Sequence, residues 1–152
     1  MSDFHTVTFP KARKVHTCEE CRLSIAIGNR YARHAGAFDG MGYALPLCLR
    51  CDALNTYAWK LARKIGCDGE DGPPFGGLVE WLLTVAEEMT PVCAPPPQGD
   101  EVTWLSESVT TTARLGLPGL NDDPELAGHF AGLVFRTREN DVEGQKQRAR
   151  VE

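Results

Sequence analysis

The chain has 152 residues, 42% of them apolar and 24% charged, a balance that is ordinary for a globular protein and sufficient for a buried core. Its net charge of −5 is unevenly distributed: residues 1–67 hold ten Lys/Arg and five Asp/Glu, net +5, whereas residues 68–152 hold six and sixteen, net −10. That split argues against one uniform nucleic-acid-binding surface. No apolar run approaches about 18 residues, so no membrane span is expected. The opening Met-Ser-Asp-Phe-His carries neither the basic nor the apolar region of a secretory signal. Six cysteines in such a chain are expected to be reduced and partly metal-bound, in a cytoplasmic setting, rather than paired as disulfides.

Residues 1–17 read as a polar, basic lead-in. Leu23 to Ile27 is a short apolar segment stopped by Gly28-Asn29. Tyr31, Arg33 and Ala35 alternate with other residues before Asp39-Gly40, and Tyr43, Leu45 and Leu47 alternate after it. Two period-two runs around Asp-Gly predict a β-hairpin, with Pro46 confining the second strand to a short or edge position. The period then changes. Leu54, Tyr57, Ala58, Leu61, Ala62 and Ile65 form one helical stripe, which predicts a helix over 49–65 with Gly66 as its left-handed cap and Arg63 and Lys64 in the last turn. Residues 67–74 read as a loop. A second helix is expected over 75–89, with Leu78, Trp81, Leu82, Val85 and Met89 on one side, ended by Pro91.

Pro95-Pro96-Pro97-Gln98-Gly99 reads as a semi-rigid linker. Beyond it two readings of residues 101–115 stand: Val102, Leu105, Val109 and Ala113 suit a helical face, while Thr110-Thr111-Thr112 favours extended chain. Asp123-Pro124-Glu125 is a helix start, followed by a stripe of Leu126, Phe130, Leu133 and Val134. From Glu139 the charged tail offers too little apolar surface to offset ordering and is expected to be disordered. The expected organisation is a zinc-binding module at 1–66, a loop and packing helix at 67–93, a Pro-rich linker at 94–100, a helical or extended region at 101–138 and the tail at 139–152.

Cys18-Glu19-Glu20-Cys21 and Cys48-Leu49-Arg50-Cys51 repeat one spacing, with 26 residues between them. Zinc takes four soft ligands tetrahedrally, and two Cys-x-x-Cys bends can close that tetrahedron. Cys18, Cys21, Cys48 and Cys51 are therefore the expected ligands of one zinc ion. A filled four-thiolate set leaves no coordination position for substrate, so the zinc is expected to be structural. His16, two residues before Cys18, is expected to be an exposed side chain, because the thiolates already saturate the metal. Cys67 and Cys93, even with His129, lack paired spacing and are expected to be buried or partly buried free thiols rather than a second site.

The order of Cys knuckle, hairpin and second Cys pair at a helix start resembles the treble-clef zinc finger. Within that family the string Cys21-x3-Ile25-x2-Gly28-x2-Tyr31, with the later Phe75-Gly76-Gly77-Leu78, is similar to small phage and prophage zinc-binding proteins. The resemblance covers about residues 10–90. It implies a knuckle, hairpin and helix for that part; with the charge and stripe patterns beyond it, the fold expected of the chain is α+β, a small treble-clef zinc module followed by a mainly helical, acidic C-terminal part. Treble clefs also occur in His-Asn-His nucleases, but His34 has no paired His or Asp-His motif beside it in the sequence, so nuclease chemistry is not expected.

No catalytic triad, phosphate loop or paired-carboxylate motif is present, and the chain is expected not to be an enzyme. Two classes remain. The first is a zinc-stabilised interaction protein that binds another protein through its acidic half; if the phage resemblance holds, the partner is a host nucleic-acid-handling or defence complex in the host cytoplasm. The second is a nucleic-acid-binding zinc-finger regulator. For the second, Arg30, Arg33 and Arg50 are the candidate phosphate contacts, and Tyr31, Tyr43 and Phe38 can stack on unpaired bases. Packing of those aromatic residues against the zinc-site helix is the simpler expectation. Trp59 and Trp104 either mark a partner surface or cover the joint with the C-terminal part.

Overall fold

Asp39 and Gly40 both take positive φ, 49° and 76°, the pair of angles whose twist suits a two-residue hairpin turn. The computed structural model describes residues 4–67, 72–89 and 117–136. In chain order these form β1 (Phe4–Thr8), β2 (His16–Thr17), β3 (Ser24–Ile25), β4 (Ala32–Phe38), β5 (Met41–Leu47), α1 (Leu49–Ile65) and α2 (Leu78–Met89). A 3₁₀ turn, Leu120–Asp122, and α3, residues 124–136, complete them. The protein is thus a small α+β chain with antiparallel strands.

The hairpin strands β4 and β5 pair from Phe38↔Met41 to Ala32↔Leu47. The expected lead-in is a strand for part of its length: β1 adds antiparallel to β4, giving the order β1-β4-β5. Pro46 lies on β5, at the sheet's edge, where its missing N–H breaks no ladder bond. Cross-strand pairing to a distant segment leaves no periodic trace in Phe4–Thr8 beyond a five-residue alternation, so β1 was hidden from a local reading. The two short strands β2 and β3 pair with each other around the first Cys bend.

The buried face of β4 is Ala32, His34 and Gly36, while Arg33 points to solvent. This corrects the expected alternation through Tyr31, Arg33 and Ala35. A guanidinium keeps its hydration on the outer face, and Tyr31 is buried just ahead of the strand, its ring 4.8 Å from that of His16. His16 is accordingly half-buried rather than exposed.

Helix α1 spans the expected residues. Cys48 caps its start, Gly66 takes φ 80° at its end, and Leu54, Ala58, Leu61 and Ala62 are buried. Tyr57 is half-buried, which pushes its phenol up to about 12. The second helix begins at Leu78, three residues later than expected. Gly76 adopts φ 79°, and the Gly77 amide bonds the Pro74 carbonyl at 3.3 Å, so Phe75-Gly76-Gly77 is a turn ahead of the helix.

The chain divides into two compact units, Met1–Leu78 and Val79–Glu152. Within the second unit, α2 buries Val79, Leu82, Val85 and Ala86, and α3 buries Ala127, Phe130, Leu133 and Val134. The Asp123 carboxylate accepts from the Leu126 amide at 3.1 Å, the N-cap expected of Asp-Pro-Glu. The linker at 94–100, Cys93, Trp104, the ambiguous residues 101–115 and the tail at 139–152 lie outside the described residues. Among the described residues, no helix is long and apolar enough to cross a membrane.

Candidate functional site

The first Cys bend is a tight turn: the Cys18 amide bonds the Leu23 carbonyl and the Arg22 amide bonds the Cys18 carbonyl, each at 3.0 Å. Arg22 takes φ 60° to close it. At the other end of the hairpin, β5 delivers Cys48 to the N-cap of α1 and Cys51 to its first turn. The sulfurs of Cys18, Cys21, Cys48 and Cys51 all lie within 4.8 Å of one another. Tetrahedral thiolates about 2.3 Å from zinc stand about 3.8 Å apart, and Cys21 Sγ and Cys48 Sγ are separated by 3.9 Å. The four thiols form a site able to hold one metal ion, and no other group of three or more metal-ligating side chains is found among the described residues.

Backbone amides prepare the sulfurs for negative charge. The Cys48 N–H donates to Cys18 Sγ at 3.3 Å and the Cys51 N–H to Cys48 Sγ at 3.4 Å. Hydrogen bonds from the Cys48 and Cys51 thiols hold the Cys18 thiol well below its ordinary range. The same bonds to Cys18 push the other two up, Cys48 to about 11 and Cys51 further. A metal must therefore displace protons from Cys48 and Cys51 as it binds. Cys67 is a half-buried free thiol, as expected.

Between the cysteines of the first bend, Glu20 has a structural role that its sequence context does not announce. Its carboxylate accepts from the Gly76 amide at 2.7 Å and the Leu78 amide at 3.3 Å. These amides open α2, where free N–H groups favour an anion. Burial nevertheless raises the Glu20 carboxyl above its usual range, with the two amide bonds opposing the rise.

A second constellation lies between the sheet and α1. Its first bond is His34 Nε2 to Asp52 Oδ1, 2.7 Å, with His34 only 3% exposed. His34 Nδ1 lies 3.2 Å from His5 Nε2, and His5 Nδ1 lies 2.7 Å from the Tyr43 hydroxyl. With neutral imidazoles only one polarity is consistent. The Asp52 carboxylate accepts from His34, which accepts from His5, which accepts from the Tyr43 O–H. This corrects the sequence reading of His34 as unpaired: the partners come from β1, β5 and α1, far away in the chain. Burial, and then the neighbouring His34, lower the His5 imidazole below its ordinary value.

Gly36 makes the chain possible. It pairs with His5 on one side and Tyr43 on the other, so these two side chains meet across the place where Gly36 has none. A Cβ there would come within 2.8 Å of the Tyr43 hydroxyl and into the Phe4 carbonyl.

The chain floors a cavity of about 560 Å³. Its sheet wall is His5, Val7 and Phe9, spaced by two, with His34 and Tyr43. Its helix wall is Asp52, Asn55, Thr56, Trp59 and Arg63, one stripe of α1. Phe75 completes it, edge-on to His34 at 5.2 Å. Asn55 is 5% exposed, and its side chain has no hydrogen-bond partner among the described residues; such a group costs about 1–3 kcal/mol when left unsatisfied. Trp59, half-buried, thus belongs to the cavity. The signal for this second face of α1 is visible in the sequence only as polar and aromatic residues at 52, 55, 56, 59 and 63.

No family model, curated protein or solved structure matches this chain. The likeness to treble clefs rests on the cysteine spacing and element order alone.

The candidate phosphate contacts Arg30, Arg33 on β4 and Arg50 in the first turn of α1 are all exposed, and Arg30 also donates to the Phe9 carbonyl at 3.3 Å. Tyr31 is buried and Tyr43 half-buried within the chain just described. Phe38 is 65% exposed, so it does not pack against the cysteine-bearing helix as expected. Phe38 sits beside the Asp39-Gly40 turn, at the end of the hairpin.

Proposed function

We propose that this protein is a non-enzymatic treble-clef module, held by one structural zinc ion on Cys18, Cys21, Cys48 and Cys51, that works in the cytoplasm by binding a protein partner. The observation that carries the partner is the hairpin tip. Phe38 and Met41 are opposed residues of β4 and β5, yet they are 65% and 73% exposed. A turn needs no large apolar side chains, and leaving a pair of them in water at the end of a rigid hairpin suits insertion into a partner's pocket. The phage-like string makes a host nucleic-acid-handling or defence complex the partner class of this proposal. The acidic charge after Cys67 complements the basic surfaces of such complexes.

Affinity capture from host lysate, with nuclease treatment, tests the reading. A protein retained by wild type and lost with Phe38→Ser/Met41→Ser is the expected result. Retention that depends on nucleic acid, abolished by Arg33→Ala/Arg50→Ala instead, favours the nucleic-acid-binding regulator. That second reading draws on the exposure of Arg33 and Arg50.

A further inference from the structure

We propose that the cavity between β1, β4, β5 and α1 is a binding site for a nucleobase bearing a phosphate, either a free nucleotide or an unpaired base of a single strand. The site is separate from the hairpin tip and from the thiol cluster, and goes beyond the protein-binding reading.

Three observations select this chemistry. The first is Asn55, 95% buried by its 5% exposure, lining the cavity with an unpartnered amide. A carboxamide presents a donor and an acceptor side by side in one plane, which is the pattern that reads the edge of a base. A purely apolar ligand would leave it unsatisfied. The second is the pair of aromatic walls. Phe9 and Trp59 line the cavity from the sheet side and the helix side, with Phe75 beside them. Flat aromatic surfaces bind the π-face of any base and leave its edge free for hydrogen bonds. The third is Arg63, two turns beyond Asn55 on the same stripe of α1. It lines the cavity, is exposed, and has no ion-pair partner among the described residues. Eight residues of helix advance about 12 Å, a span that an arginine side chain shortens to the separation of a base edge from its phosphate.

The Tyr43–His5–His34–Asp52 chain supplies rigidity. Its members satisfy one another, so the floor is fixed before a ligand arrives and Asn55 remains the open group. A volume of about 560 Å³ suits a ligand of this size.

The test is calorimetric titration of the zinc-loaded full chain with the four nucleoside monophosphates, their uncharged nucleosides, and short single-stranded homopolymers. Binding by at least one base is expected. Asn55→Leu should weaken it about tenfold or more while keeping or raising the melting temperature, since the unsatisfied buried amide is gone. A merely structural asparagine would give the opposite stability result. Trp59→Leu should weaken every base alike, and Arg63→Gln should erase the advantage of monophosphate over nucleoside without affecting the fold. Lys60→Gln, exposed on another face of α1, should change nothing. Monophosphates binding as well as homopolymers assign a free nucleotide; homopolymers alone assign a single strand. Absence of binding at millimolar concentration to all of these, or binding that survives both Asn55→Leu and Arg63→Gln, overturns the proposal.

Discussion

The thiol cluster and the histidine chain are two polar groups of the same unit, and they satisfy their polar atoms in different ways. The thiols have weak donors and weak acceptors. Cys18 and Cys51 are fully buried, and the four sulfurs lie close enough together to hold a cation in place of their protons. The histidine chain is complete without any ion: a hydroxyl, two imidazoles and a carboxylate each find a partner at 2.7–3.2 Å. With the zinc ion proposed above, the first cluster makes the fold depend on a metal, and the second, complete in itself, fixes the floor of the cavity. Closed valence in one place and one open amide, Asn55, in the other separate scaffold from site.

The strongest way to break this comparison is to remove the metal. A Cys51→Ala variant should lose its single equivalent of zinc and the β-structure of the first unit. Structural zinc contributes on the order of 10 kcal/mol to such modules, far more than any other interaction in this unit. Elemental analysis with circular dichroism before and after chelation measures both. A metal-free protein with unchanged strands would show that the thiols pack as ordinary buried groups.

Gly36→Ala is the corresponding attack on the histidine chain and should have an intermediate effect. The new Cβ meets the Phe4 carbonyl and the Tyr43 hydroxyl, so β1 must shift or Tyr43 must release His5. Overpacking of this kind costs about 1–3 kcal/mol. Zinc content should stay at one per chain, because Gly36 lies two strand residues past His34 and away from both Cys bends. A drop in the urea midpoint with zinc retained is the expected result. Loss of zinc with the strand would show that the two clusters stand or fall together.

The same contrast explains what the residues reveal unaided. Cys18 and Cys21, like Cys48 and Cys51, sit on one turn each, so their convergence is written into local spacing. The hairpin and α1 are local too, and Asp39-Gly40 and Gly66 mark their ends. His5, His34, Tyr43 and Asp52 meet only through strand register: a shift of one residue in β1 against β4 would turn His5 to the other face. No single stretch of sequence contains that information. Asn55 is hidden in the sequence for a related reason, and Trp59, although it stands off the main stripe of α1, carries no sign of the cavity it lines. The apolar stripe of Leu54, Ala58 and Leu61 accounts for one buried face of α1, and the face that lines the cavity carries only a polar, aromatic pattern. Likewise Glu20 is an unremarkable acid until residues 76–78 fold back to it.

The smallest effect comes from protonating the histidine chain, and it sharpens the comparison because it leaves the thiols alone. His5 faces His34 on β4 and Tyr43 on β5, and shares its cavity with Asp52 and Arg63 of α1. Burial and His34 lower its affinity for a proton in the folded state. The unfolded chain, near the ordinary value of about 6.5, then binds the proton more readily, so stability rises with pH across this window. The contribution is fully present above about 6.5 and fades as the pH falls toward the lowered folded value. His5 remains largely exposed, which keeps the effect small. His5→Gln preserves an acceptor for Tyr43 and a donor for His34 but cannot titrate. Urea midpoints of the two zinc-loaded proteins, measured from neutral to mildly acidic pH, should converge at the acid end, with wild type losing more. Parallel curves would show that His5 carries no proton linkage, and that the chain's polarity is set by His34 and Asp52 alone.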